Sequence, residues 1–174
     1  MRKRAKGAAV VAAMGMAFAF TGLSAPAAGA YTNSNLRFSA WEPDTSNCPC
    51  SDSSGLDYTN FKYDEGGEAL KLVVKNNGTA VAQVEFHPSD ELLYIYDGKN
   101  DGDTIYVAAH WWENGIRKNA VYWVSGTSDV LDMNVVEMDE DDDLEEGKAV
   151  YFKLYDDREL SDELTEWYDY VAHA

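Results

Sequence analysis

The segment DGKNDGD, residues 97–103, crowds three Asp and one Asn into seven positions. Oxygen donors so close together suggest a calcium loop, which needs ligands at alternate positions and a bidentate Glu at the twelfth. Counting from Asp97, the third position is Lys99 and the twelfth is Ala108. A cation stands where a ligand should be, so the expectation is an Asx-capped turn between strands. The run DEDDDLEE, residues 139–146, is more acidic still. Nothing in it specifies a cage. It reads as a solvated loop, with loose divalent-cation binding or an acidic decoy surface as the sharper alternatives.

The chain has two cysteines, Cys48 and Cys50, in Cys48-Pro49-Cys50. In an oxidising compartment they are expected to pair and pin a loop. A redox switch or a link to another chain are the other readings. A bridge across one residue closes a small ring that adds little stability and reduces easily. Two thiolates alone fall short of the four ligands zinc takes. His87, His110 and His173 lie in no zinc or nucleophile motif, and no G-x-S-x-G, phosphate loop or Cys-His signature occurs. No catalytic residue, metal ligand or cofactor is therefore assigned.

Arg2, Lys3, Arg4 and Lys6 precede an apolar stretch, Gly7–Phe20, and then SAPAAGA. That order predicts a secretory signal peptide over 1–30, cleaved after Ala28-Gly29-Ala30, with cleavage after Ala27 as the second choice. The apolar run is short for a membrane anchor. The leader takes four of the 14 basic residues, so ten remain against 31 acids, a net charge of −21 from Tyr31 on. Such a surface repels nucleic acid and anionic membranes. A chain that is 13% aromatic is expected to fold rather than stay disordered. Secretion into the extracellular space, with no membrane attachment after cleavage, is the expected localisation.

The remaining elements must position whatever site exists. Residues 31–65 read as a polar arm that adds at most an edge strand, and 66–174 as one β-domain. Leu70, Leu72 and Val74 alternate with Lys71, Val73 and Lys75, and a second alternating run starts at Ala80. A three-residue turn at Asn76-Asn77-Gly78 puts Val74 opposite Ala80 and keeps one face apolar, whereas a two-residue turn sets Leu72 against Gln83. Pairing Ile95 with Ile105 makes a hairpin around DGKNDGD, with Tyr94 opposite Tyr106. Asn114-Gly115 is a two-residue hairpin turn that puts Val107 against Tyr122 and Tyr106 against Trp123. Residues 130–136, 149–155 and, less clearly, 164–172 read as further strands. The expected class is all-β, an antiparallel β-sandwich or small barrel of about seven to eight strands.

AQVEFHPSDELLYIYDGKNDGDTIYVAAHW and the later LEEGKAVYFKLYDD resemble small exported β-domain proteins of actinobacteria, over about 82–157. Those proteins carry an A-x-F … D-x-x-x-D-G-x-x-x-Y-V … W core and a later EG-x-x-V strand. The resemblance implies export and a small β-domain, and no reaction. This chain departs from the pattern in the acidic run 138–146 and in lacking later cysteines, so no disulfide framework is carried over.

Together the two hairpins align Tyr94, Tyr106 and Trp123 in one row, with Tyr96 beside it. A second sheet is expected to cover that row, because large aromatics dominate cores. Left open, it is a flat platform for a sugar ring or a protein surface. The leading expectation is a secreted non-enzymatic domain that binds an extracellular polysaccharide or protein, inhibition of an enzyme included. The alternatives are a small extracellular hydrolase with carboxylate chemistry, and a surface protein linked through Cys48 or Cys50.

Overall fold

Two Asn-Gly turns anchor the local structure. Asn77 and Gly78 have φ of 51° and 86°, and Asn114 and Gly115 have φ of 48° and 77°. Two successive left-handed residues give the turn whose twist matches that of paired strands. A computed structural model describes residues 33–99, 104–126, 130–138, 144–166 and 169–174. The leader, the proposed start at Tyr31, most of DGKNDGD, residues 139–143 of the acidic run, and Trp167 and Tyr168 lie outside those residues.

Among the described residues eleven strands occur in order: β1 (Leu36–Trp41), β2 (Cys50–Asp52), β3 (Thr59–Phe61), β4 (Leu70–Asn76), β5 (Thr79–His87), β6 (Leu92–Asp97), β7 (Tyr106–Glu113), β8 (Ile116–Trp123), β9 (Asp132–Glu137), β10 (Ala149–Tyr155) and β11 (Tyr170–His173). They form a five-stranded sheet, β1-β4-β5-β6-β9, a four-stranded sheet, β11-β10-β7-β8, and a two-stranded ribbon, β2-β3. Every pairing is antiparallel. The larger sheets pack face to face, with Leu72, Val84, Phe86 and Ile95 meeting Val107, Phe152 and Leu154. The Phe86 and Phe152 rings lie 5.8 Å apart at the centre. Each fully buried side chain of this kind contributes about 1.5–3 kcal/mol. The fold is an antiparallel β-sandwich; Glu68 bridges to His173 at the β11 edge, and among the described residues the sheets do not close into a barrel.

Two registers differ from the sequence reading. The β4–β5 turn has two residues, because Asn76 pairs with Thr79, and Lys75 pairs with Ala80. A bulge between Val74 and Lys75 then shifts the ladder, so Val74 meets Ala82 and Leu72 meets Val84. The extra residue restores the apolar phase that the tight turn alone would have lost.

The second correction is larger. Ile95 and Ile105 do not pair, and Tyr94 does not face Tyr106. β6 is hydrogen-bonded to β5 and β9, whereas β7 is hydrogen-bonded to β8 and β10. The chain therefore leaves the five-stranded sheet at Asp97 and enters the four-stranded sheet at Tyr106. Both isoleucines point into the core, but from opposite walls. A loop of this length easily spans the roughly 10 Å between packed sheets.

The polar stretch before residue 66 is built into the sandwich. β1 pairs with β4 and sends Leu36 into the core. The chain between β1 and β4 then folds back, and its β2–β3 ribbon caps the outer face of the five-stranded sheet. Under this cap Lys71, Gln83, Glu85 and Thr59 are all buried. The Lys71 ammonium donates to the carbonyls of Asp52 and Asp57, each at 3.2 Å, and lies 3.1 Å from the Asp52 carboxylate. Gln83 accepts from the Leu56 amide at 2.8 Å and donates to Glu85 at 2.5 Å. Glu85 also accepts from the Thr59 hydroxyl and lies 3.0 Å from His87. Burying charge is tolerable here because each group is paired.

Candidate functional site

The outer face of the four-stranded sheet carries the candidate site. The Asn114-Gly115 turn sets the register, placing Tyr106 opposite Trp123, Ala108 opposite Val121, and Trp112 opposite Arg117. On the other flank of β7, Tyr155 pairs with Tyr106, Lys153 with Ala108, and Tyr151 with His110. An aromatic row thus does cross three strands, but its members are Tyr155, Tyr106 and Trp123. Tyr94 is absent from it.

Exposure rises along this row. Tyr155 is buried, Tyr106 is half-buried, and Trp123 is 49% exposed. The Tyr106 and Trp123 rings are 6.0 Å apart and inclined at 35°. The Trp123 carbonyl accepts a 2.9 Å hydrogen bond from the Asn134 side chain, fixing the end of β8 against β9. Expected as core, Trp123 is instead a surface ring. Among the described residues no second sheet covers this side, and the segment after β10 folds over its Tyr155 end, where Glu163 bridges to Tyr155 and pairs with Lys153 at 2.7 Å.

A second aromatic group lies at the other end of the same face. The His110 and Tyr151 rings stack at 4.9 Å, and Trp112 stands edge-on to both, at 4.9 and 5.6 Å. The Arg117 guanidinium sits 6.0 Å over the Trp112 ring and donates to His110 Nδ1 at 3.1 Å. Guanidinium has no acceptor atom, so Nδ1 must carry a lone pair. Burial and then the Arg117 charge hold the His110 pKa below its usual value. Trp112 is 38% exposed. The six ladder positions between Trp112 and Trp123 correspond to about 20 Å along the strands. Small or flat groups, Ala108 and Val121 among them, lie between.

Tyr94 and Tyr96 belong to the outer face of the other sheet. Tyr96 is buried at the edge of the cap, and burial, followed by the Glu85 and Asp57 charges, pushes its phenol pKa up. It offers no platform. Tyr94 packs its ring 4.6 Å from His87 and 6.4 Å from Tyr96. Of the four residues expected to bind, the structure brings together Tyr106 and Trp123 and separates Tyr94 and Tyr96 from them. Sequence reasoning missed Tyr155, Tyr151 and Trp112; the first two needed the β7–β10 register, which no local turn sets.

Two concavities lie away from this face. One, of about 540 Å³, is lined by Ser89, Asp90, Glu91, Glu137, Leu144, Glu145 and Glu146. Hydrogen bonds from Lys62 and Lys148 lower the pKa values of Asp90 and Glu145, so neither is held protonated as a general acid would be. The other, of about 450 Å³, is lined by Asp44, Ser46, Gly66, Gly67, Glu68 and His173. Among the described residues no group of three or more His, Cys, Asp or Glu is placed to hold a metal ion. Cys48 and Cys50 form a disulfide. Comparison with protein-family models, curated proteins and solved structures gives no match.

Proposed function

We propose that the chain is exported, loses its leader after Ala30, and acts outside the cell as a non-enzymatic β-domain that binds a polysaccharide. The observation that carries this reading is the half-exposed Trp123 ring standing beside Tyr106 on the outer face of the four-stranded sheet. Sugar rings present flat C–H faces and polar rims, which suit Trp and Tyr with neighbouring amide and hydroxyl groups. Asn119 and Tyr151, which flank His110 on either side in the ladder, supply such polar groups at the Trp112 end. A net charge of −21 disfavours an anionic polymer, so the ligand class is a neutral or cationic polysaccharide.

Two measurements test the proposal. Mass spectrometry of material from culture fluid should show a chain starting at Tyr31; a cell-retained chain with Met1 would overturn export. The mature protein should bind neutral or amino-sugar polymers with a change in tryptophan fluorescence. Capture by a protein fraction without that change would transfer the function to a protein partner.

A further inference from the structure

The Cys48–Cys50 disulfide lies on the cap, away from the aromatic face. It joins residues two apart in sequence, at the entrance to β2. A bond that short adds little fastening, since the β2–β3 ladder already holds Cys50 and the Cys48 amide already donates to the Thr45 carbonyl at 3.0 Å. Its constraint on the unfolded chain is also near the minimum, because that effect grows with the length of the loop closed. As a staple it contributes little. Small-ring disulfides are also the ones most readily reduced.

The two cysteine residues differ in exposure. Cys48 is 7% exposed and packs with Phe61 and Ala69, whereas Cys50 flanks the same cluster but is only half-buried at the start of β2. Exchange proceeds by attack of a thiolate on a reachable sulfur. From this asymmetry we infer that Cys48-Pro49-Cys50 is a thiol–disulfide exchange site that accepts electrons from an extracellular dithiol. One thiolate of the dithiol attacks Cys50 Sγ. The Cys48–Cys50 bond breaks, a mixed disulfide forms at Cys50, and Cys48 leaves as a thiolate that takes up a proton. The second thiolate of the dithiol then attacks its own sulfur in the mixed disulfide and releases the Cys50 thiolate, which is protonated in turn. The dithiol departs as a disulfide, oxidised by two electrons, and the protein holds two thiols. The sandwich core takes no part, since neither cysteine lies in it.

The test uses the full folded chain in glutathione buffers of graded ratio, with thiols trapped by alkylation and counted by mass. The inference requires the dithiol form to accumulate at millimolar reduced glutathione while tryptophan fluorescence stays native. It also requires Cys50, in Cys48→Ser, to form the glutathione adduct at least about tenfold faster than Cys48 does in Cys50→Ser. A bond that survives until urea unfolds the chain overturns it, as does reduction that occurs only with loss of native fluorescence, or equal rates at the two thiols. The wild-type titration decides the matter even if a variant folds poorly. Its outcome is independent of polysaccharide binding.

Discussion

Trp123 stands across the β7–β8 ladder from Tyr106, and each step along that row toward β10 takes the ring deeper. Trp123 therefore keeps about half its surface for a partner while Tyr106 braces it from behind. Trp123→Ala should cost about 1–2 kcal/mol in a urea melt, well below the 3–5 kcal/mol or so of a buried aromatic. Affinity for a polysaccharide should fall at least about tenfold, because central aromatic contacts dominate binding. A variant that unfolds, or one that binds as wild type, would contradict the assignment.

His110 links the second aromatic group to pH. Its pKa is lowered by burial and by Arg117, so protonation disfavours the folded state. The sign follows from linkage: the contribution is intact above the ordinary value of 6.5 and is lost as pH falls through the depressed folded value. Arg117, Trp112 and Tyr151 are among the groups facing the ring, and a charged imidazole would meet the Arg117 cation at 3.1 Å. His110→Phe keeps a ring for stacking and removes the titration. Stability measured from pH 7.5 down to about 5 should fall less steeply in this variant than in the wild type. Parallel curves would refute the assignment.

Lys71 is the cation that ties the cap to the sheet. Lys71→Met keeps most of the side-chain volume but removes the ammonium from two carbonyls and from the Asp52 carboxylate, which among the described residues retains only the Ser54 hydroxyl as a side-chain donor. Removing one partner of a buried pair costs about 3–5 kcal/mol. Because Asp52 retains some solvent, the lower end of that range is expected here. Equilibrium denaturation checks the size. Amide exchange checks the place: protection should drop first in β2 and β3 and persist in the β5–β6 ladder.

What the sequence revealed depended on how locally each feature is determined. The Tyr106–Trp123 pair follows from one Asn-Gly turn and an alternation that cannot slip without exposing Val107, and it was legible. The Ile95–Ile105 pair rested on the same alternation, but inward-facing residues of two different sheets alternate identically. Period alone cannot distinguish a neighbour in the ladder from a neighbour across the core. The cap was hidden for another reason. Lys71, Gln83 and Glu85 are the polar half of an amphipathic hairpin, which normally faces water. Their burial depends on Asp52, Leu56 and Thr59, contributed by a stretch whose composition resembles a loop. The bulge at Val74 left no local mark beyond the conflict between a tight turn and the apolar phase.

Gly55 of the cap and Gly78 of the β4–β5 turn offer the last test. Gly55 has φ of +92°, and a Cβ there would lie 2.1 Å from Gln83 Oε1 and 2.8 Å from a Val73 methyl. Gly78 has a similar φ of +86°, yet a Cβ would meet nothing within 4 Å. Both positions disfavour a side chain on backbone grounds, by about 1 kcal/mol. Gly55→Ala additionally drives Gln83 off the Leu56 amide, leaving buried polar groups unpaired at about 1–3 kcal/mol. Gly55→Ala should thus destabilise by about 2–4 kcal/mol, and Gly78→Ala by about 1 kcal/mol. Chemical denaturation of the two variants side by side separates backbone strain, common to both, from the clash that only the cap can cause. Equal losses would mean that the cap does not press on Gln83 in solution.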